Sequence, residues 1–161
     1  MFSNDAQLMT AIKKASANVV HIVSDEMLGV LADDIMKYTY TDVHNEDYWN
    51  GSGVPTYEFL MAFKLTNVEQ KLNEIVTELY YDWQSMDYDP DTYLHGTPWG
   101  GDMRERLAEI LNVDGVTGFS NKSRKPYWDI FIKQMFDDGG IKKLFDKYMK
   151  EEFAKIGITI V

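Results

Sequence analysis

Three histidines, and the carboxylates near two of them, are the side chains of this chain best suited to metal binding or proton transfer. Asp47 follows His44 and Asp102 follows His95, so two loops each carry an imidazole and a carboxylate, ligands that zinc and other divalent ions accept. Their spacings match no metal motif, and a loop histidine commonly caps a turn instead. His21 lies near the apolar stripe of a predicted helix, at the boundary of a core. We therefore predict no metal site.

Other catalytic patterns are equally sparse. The chain has no cysteine, and no serine stands in a Gly-x-Ser-x-Gly elbow. The glycine-rich run "HGTPWGGD" lacks the Gly-Lys-Ser/Thr ending of a phosphate-binding loop. The aspartates at 82, 87, 89 and 91 lack the glycine and the distal glutamate of an EF-hand. The sequence thus predicts no enzyme, no catalytic residue, no cofactor and no small-molecule substrate.

Length and charge narrow the classes of protein further. A chain of 161 residues is about one domain long, and we expect a single domain over 1–161. A net charge of −10 argues against general binding to nucleic acids or anionic membranes. The charge is uneven, because residues 122–161 hold more lysine and arginine than acid whereas 1–121 are strongly acidic. This polarity would let copies align head to tail, or it marks an ordinary solvated acidic surface.

Neither a membrane span nor a signal peptide is predicted. No apolar run approaches the ~20 residues that cross a bilayer, and the first ten residues, "MFSNDAQLMT", have no basic start. We expect the protein to be made in the cytoplasm of its producing cell.

Helices are predicted at both ends of the chain. Apolar residues recur at steps of three and four from about Asp5 to Lys37, with Asn4 as the N-cap. A helix opening at Pro126 is interrupted by Gly139 and Gly140, and a last helix runs from Ile141 to Lys155.

Between Tyr38 and Pro55 the apolar periodicity is absent, and we expect a loop of about seventeen residues, a length that is usually functional. Pro55 then opens a short helix through Phe63.

The run "LNEIVTELYYDW", residues 72–83, fits both a helical stripe and an alternating strand. Its β-branched and aromatic content, together with the alternating run from Met61 to Leu65 and the polar turn "TNVEQ", favours a hairpin. Residues 158–160 suit a short terminal strand. The predicted fold class is α+β, with a long N-terminal helix and C-terminal helices packed on a small antiparallel sheet.

The order of these segments resembles a known family. A long N-terminal helix is followed by "YWNGSGVPTYEFLMAF", "ELYYDW", "LHGTPWGGDMRERLAEILN", "RKPYWDIFIKQMF" and a lysine-rich helix ending "AKIGI". Over nearly the whole chain this is similar to the small neck or tail-completion proteins of tailed bacteriophages, also described as head-tail joining or minor capsid proteins. The resemblance implies an α+β fold whose copies form a ring at the junction between the capsid portal and the tail, without catalysis.

Several expectations follow from that resemblance. The partners would be further copies of the chain, the portal or adaptor and the tail proteins, and DNA would pass through the lumen without specific binding. The protein would be located in the virion after synthesis in the bacterial host. Tyrosine and tryptophan in loops are enriched at contact surfaces. The predicted partner interface consists of Tyr48, Trp49, Tyr57, Tyr93 and Trp99.

A second function class remains open. The excess of carboxylates would also suit a phage-encoded inhibitor that binds a host protein by mimicking nucleic acid. Such mimicry needs carboxylates in a double row along one face, whereas this sequence disperses them among loops. Salt-sensitive binding to a basic host protein would distinguish the inhibitor from a structural protein.

Overall fold

A computed structural model describes residues 4–40, 58–86, 104–105, 108–109, 112 and 126–161. The described residues fall into two compact units. The helical unit contains residues 4–29, 65–79 and 132–161, and the aromatic unit contains 30–40, 58–64, 80–86 and the described residues between 104 and 131. The organisation as a single domain over 1–161 stays a prediction.

The long N-terminal helix is confirmed. Helix α1 spans Asp5–Ile35, and the Asn4 side chain accepts a hydrogen bond from the Gln7 backbone N–H at 2.9 Å, as an N-cap does. A π-helical turn, Met36–Tyr40, continues the helical backbone. The predicted end at about Lys37 lies within this π turn, two residues beyond the end of the α-helix.

The C-terminal helices follow the predicted division. Helix α3 spans Tyr127–Ile132, a π-helical turn covers Lys133–Asp137, and α4 spans Gly140–Lys155. Gly139 separates them with a φ of 73°, a conformation that side chains disfavour. At Gly140 a Cβ atom would meet the Gln134 carbonyl oxygen at 2.6 Å, so the turn requires glycine there as well.

Helix α4 ends at a glycine. Gly157 has a φ of 79°, and its N–H donates to the Ala154 carbonyl at 3.0 Å. The Ile158 N–H donates to the Phe153 carbonyl at 2.9 Å. These two bonds form a Schellman motif, which satisfies the last carbonyls of the helix. The chain beyond it, 158–161, is neither helix nor strand, so the predicted terminal strand is wrong in this structure: a strand needs a ladder partner, and none of the described residues supplies one.

Residues 63–81 form the predicted hairpin. Strands β1, Phe63–Leu65, and β4, Leu79–Tyr81, pair near its base, and β2, Glu69–Gln70, pairs antiparallel with β3, Ile75–Val76. Backbone bonds from Asp82 to Ala62 at 2.7 Å and from Thr66 to Glu78 at 2.9 Å show that β1 and β4 are also antiparallel. The α+β class is thereby confirmed.

The turn of this hairpin differs from the prediction. It lies at Leu72 and Asn73, and the Lys71 N–H donates across it to the Glu74 carbonyl at 2.9 Å. Two of the residues predicted as a turn, 69–70, are strand instead, since cross-strand pairing overrides their polar composition. The short helix α2 is Glu58–Met61, so it ends before Phe63, which belongs to β1.

Each unit has its own core. In the helical unit α1 packs on α4 through Val19, Val23 and Tyr148, with further apolar side chains of both helices around them. In the aromatic unit the largest fully buried side chains include Phe59, Tyr127 and Phe131. The two cores differ in chemistry, since the first is mainly aliphatic and the second combines aromatic rings with the aliphatic Leu31 and Ile35.

Candidate protein interaction surface

The five residues of the predicted interface all lie outside the described residues: Tyr48, Trp49, Tyr57, Tyr93 and Trp99. Their role in binding a partner stays a prediction. The same holds for His44, Asp47, His95 and Asp102 as metal ligands. The candidate surface is therefore built from the described parts of the two units.

Most described aromatic residues of the middle of the chain pack inward. The Phe59 ring meets those of Phe63 and Tyr127 edge to face at centroid distances of 5.4 and 5.9 Å, and Phe63 lies 5.1 Å from Tyr81. Such pairs add to the free energy gained from burying the rings. This cluster stabilises the aromatic unit and is not available to bind a partner.

The two tyrosine hydroxyls of this cluster are engaged as well. Tyr81 donates to the Arg104 carbonyl at 2.8 Å, and Tyr127 donates to the Ala108 carbonyl at 3.0 Å. Burial, with a smaller contribution from Tyr81, raises the pKa of the Tyr127 phenol far above its usual value. A phenol held neutral and bonded to a carbonyl serves structure and is unsuited to proton transfer.

The outer face of the β1–β4 pair is polar. The register of the backbone bonds places Lys64 opposite Tyr80, and the Lys64 ammonium lies 2.6 Å from the Asp82 carboxylate. Tyr80 is 43% exposed, unlike Tyr81, whose ring faces the cluster. Adjacent residues point to opposite faces of a strand, which explains the contrast.

A second exposed feature, in the helical unit, is the arm, which we define as residues 66–78, the hairpin beyond β1 and β4. Nine of its thirteen side chains are exposed, and Leu72 at its tip is 85% exposed. A hydrogen bond joins the two sides of the arm at its base: the Thr77 hydroxyl donates to the Thr66 carbonyl at 2.9 Å. The tip of the arm thus presents an apolar side chain that a partner protein would bury.

Helix α4 is held to α1 by polar contacts around its apolar face. The Tyr148 hydroxyl donates to the Glu26 carboxylate at 2.7 Å and accepts from the Lys147 ammonium at 3.1 Å. The hydrogen bond to Tyr148 is the main cause that raises the pKa of Lys147, so this ammonium stays charged. These contacts fix the orientation of α4 about its own axis.

A second polar contact involves a buried carboxylate. Glu152 accepts a hydrogen bond from the Asn18 amide at 3.2 Å and another from the Lys155 ammonium. These bonds, that of Lys155 first, lower the pKa of the Glu152 carboxyl. The carboxylate is therefore kept ionised at the junction of α1 and α4.

The opposite face of α4 is basic. Exposed lysines line this face at Lys142, Lys143 and Lys150, and of these Lys142 lies 3.9 Å from Asp146; Lys147 is also exposed, but its ammonium turns toward Tyr148. Lysines on this face project away from the apolar contacts with α1. The arm, by contrast, carries three glutamates and one lysine. The helical unit thus presents an acidic element and a basic one.

The described histidine is on the surface. His21 is 65% exposed and its Nδ1 lies 3.5 Å from the Asp25 carboxylate, one helical turn away. The expectation of a position at the core boundary is wrong, because the stripe of α1 that packs on α4 passes beside this residue. Within the described residues no group of three or more potential ligands surrounds a metal position.

Sequence reasoning predicted the hairpin but missed the position of its turn and its apolar tip. One local signal was present: asparagine, here Asn73, is a common turn residue because its side chain bonds nearby backbone and it tolerates the left-handed conformation. The exposed Leu72 had no signal, because a leucine beside Ile75 and Val76 fits an apolar stripe equally well.

Among the described residues no helix has the length and apolar character that a membrane crossing requires. Comparisons of the chain with protein-family models, with curated proteins and with solved structures found no match.

Proposed function

We propose that this protein is a structural component of a tailed-bacteriophage virion, which assembles as a ring at the head-tail junction and has no catalytic role. Its partners are further copies of itself, the portal or adaptor and the tail proteins. Two supports are independent of each other: the resemblance of the segment order to neck and tail-completion proteins, and the presence of a surface suited to binding protein.

The observation that carries the proposal is the exposed arm with Leu72 at its tip. Leu72 is 85% exposed in the single chain, and burying such a side chain at a contact is worth about 1.5–3 kcal/mol. A ring subunit gains this free energy at each contact with a neighbour. The acidic arm and the basic face of α4 supply the charge complementarity that orients such contacts.

The first experiment measures assembly of the purified protein by size-exclusion chromatography with light scattering and by negative-stain electron microscopy. We expect a concentration-dependent ring. The variant Leu72→Asp should shift the protein toward monomers, whereas Asn73→Asp, which adds the same charge at the neighbouring turn position, should leave assembly nearly unchanged. A monomer at every concentration, which also fails to bind purified virion particles lacking it, would contradict the proposal.

The acidic composition also supports the alternative, an inhibitor that mimics nucleic acid. Its binding to a basic host protein would weaken steeply with salt, since exposed charges are screened over about 8 Å at physiological ionic strength. Pull-down from host lysate at low and high salt distinguishes the two functions. Capture of a DNA-binding host protein, with no assembly of the purified chain, would favour the inhibitor.

A lumen that passes DNA is part of the proposal. Carboxylates facing the lumen would repel phosphates and prevent the DNA from adhering. Changing such residues to lysine one at a time should slow DNA ejection, and ejection unaffected throughout the series would remove this part of the proposal.

A further inference from the structure

The arm has a backbone edge suited to accept another strand. Within the described residues each strand has a single neighbour, so the second edge of β3 has no ladder partner there. The bond from Lys71 to Glu74 makes that pair a hydrogen-bonded one, and bonded and non-bonded pairs alternate along an antiparallel ladder. The next pair is Gln70 with Ile75, whose backbone N–H and C=O groups therefore point outward.

Residues 158–161, "ITIV", have the properties of a strand without a partner. All four are β-branched, the composition that fits a pleated sheet best. Their side chains alternate, with Ile158 and Ile160 half-buried and Thr159 and Val161 exposed. That period of two is the period of a strand. Gly157 ends α4 through its positive φ, so the helix does not continue into this segment.

Charge indicates what the segment pairs with. The arm carries Glu69, Glu74 and Glu78 and a single lysine. The segment is attached to α4, whose five lysines outnumber its three acids. A strand delivered by α4 would bring its basic face near the glutamates of the arm. In one copy the segment forms no ladder with its own arm, so the copy that supplies it is a second one.

We infer that residues 158–161 of one copy add as a β-strand to the outer edge of β3 in the arm of a neighbouring copy, and that the basic face of α4 faces the acidic arm across this contact. The inference rests on the proposed self-assembly and names the element that links the subunits. Strand addition of this type obtains its affinity from main-chain hydrogen bonds.

Because the chain has no cysteine, only introduced cysteines can form disulfides in a cross-linking test. One preparation carries Thr159→Cys, and the other carries a single cysteine at 75, 76, 77 or 78, which covers the registers of the added strand. After mixing and mild oxidation, at least one pair should form a disulfide between copies, because paired strands bring Cβ atoms within about 5 Å. Thr159→Cys mixed with Thr10→Cys on α1 is the matched control and should stay uncross-linked.

A second variant tests the backbone pairing itself. Ile160→Pro removes an N–H outside α4 and should raise the concentration needed for assembly at least tenfold. The control Ile160→Ala keeps the N–H and should have a smaller effect. Rings that persist in Ile160→Pro and give no cross-link would overturn the strand pairing and leave the proposed function intact. A protein that never assembles and never cross-links would overturn both.

Discussion

The two units are stabilised in different ways. In the aromatic unit, rings from α2, β1, β4 and α3 meet at 5.1 to 6.4 Å, and the hydroxyls of Tyr81 and Tyr127 are satisfied by carbonyls. In the helical unit a smaller aliphatic contact between α1 and α4 is flanked by ionised groups, and the unit also bears the exposed arm. The buried rings of the aromatic unit contribute to its stability. The helical unit divides its side chains between holding α4 and presenting polar and apolar groups to a partner.

The largest effect expected concerns the ring cluster. Phe59→Ala should lower the free energy of unfolding by about 3–5 kcal/mol, because Phe59 is 1% exposed and contacts several other rings. Phe136→Ala in the helical unit, where the ring is 51% exposed, is the control and should cost well under half as much. Urea denaturation of both variants measures the difference. Equal losses would show that the ring cluster is not the main core.

The second largest change in the free energy of unfolding is expected at the contact between α1 and α4. Tyr148→Phe removes the donor to Glu26 and should lower the unfolding free energy by about 1–2 kcal/mol. Tyr80→Phe removes a hydroxyl from a 43% exposed ring and should change it by less than about 0.5 kcal/mol. Thermal unfolding of both variants distinguishes them. A similar shift in the two would mean that Tyr148 holds α4 by its ring alone.

The C-terminal cap of α4 should show a moderate effect. Gly157→Ala places a side chain at a φ of 79° and should destabilise the protein by about 1 kcal/mol. In α1, a Cβ atom added at Gly29 would meet no other atom within 4 Å, and Gly29→Ala should stabilise by about 0.5–1 kcal/mol. Melting temperatures moving in opposite directions are the expected result. A neutral Gly157→Ala would indicate that the Schellman turn is dispensable.

The smallest effect is a dependence on pH. The Glu152 pKa is lowered in the folded state, so its contribution to stability is fully present above the ordinary carboxyl pKa of 4.5 and is lost as the pH falls through the lower, folded value. Denaturation at pH 7 and at stepwise lower pH should show this loss. The isosteric Glu152→Gln should flatten the slope on the acid side; an unchanged slope would mean that Lys155 and Asn18 do not favour its ionised form.

Local pattern was sufficient for the helices. The three- and four-residue steps of α1, the cap at Asn4 and the glycine break before α4 could all be predicted, because an α-helix makes its hydrogen bonds within itself and its ends are marked by particular residues. The exposure of His21 was not predictable in this way. The exposure of His21 depends on the direction from which α4 packs on the apolar stripe of α1.

The sequence by itself determined the helices, the class α+β, the charge polarity and the tendency of residues 72–83 toward a hairpin. Only the tertiary structure decided that the turn lies at Leu72 and Asn73, that this leucine is exposed, and that "ITIV" forms no strand within the described residues. The physical reason is that a strand satisfies its backbone through a partner distant in the chain, and no local pattern specifies that partner.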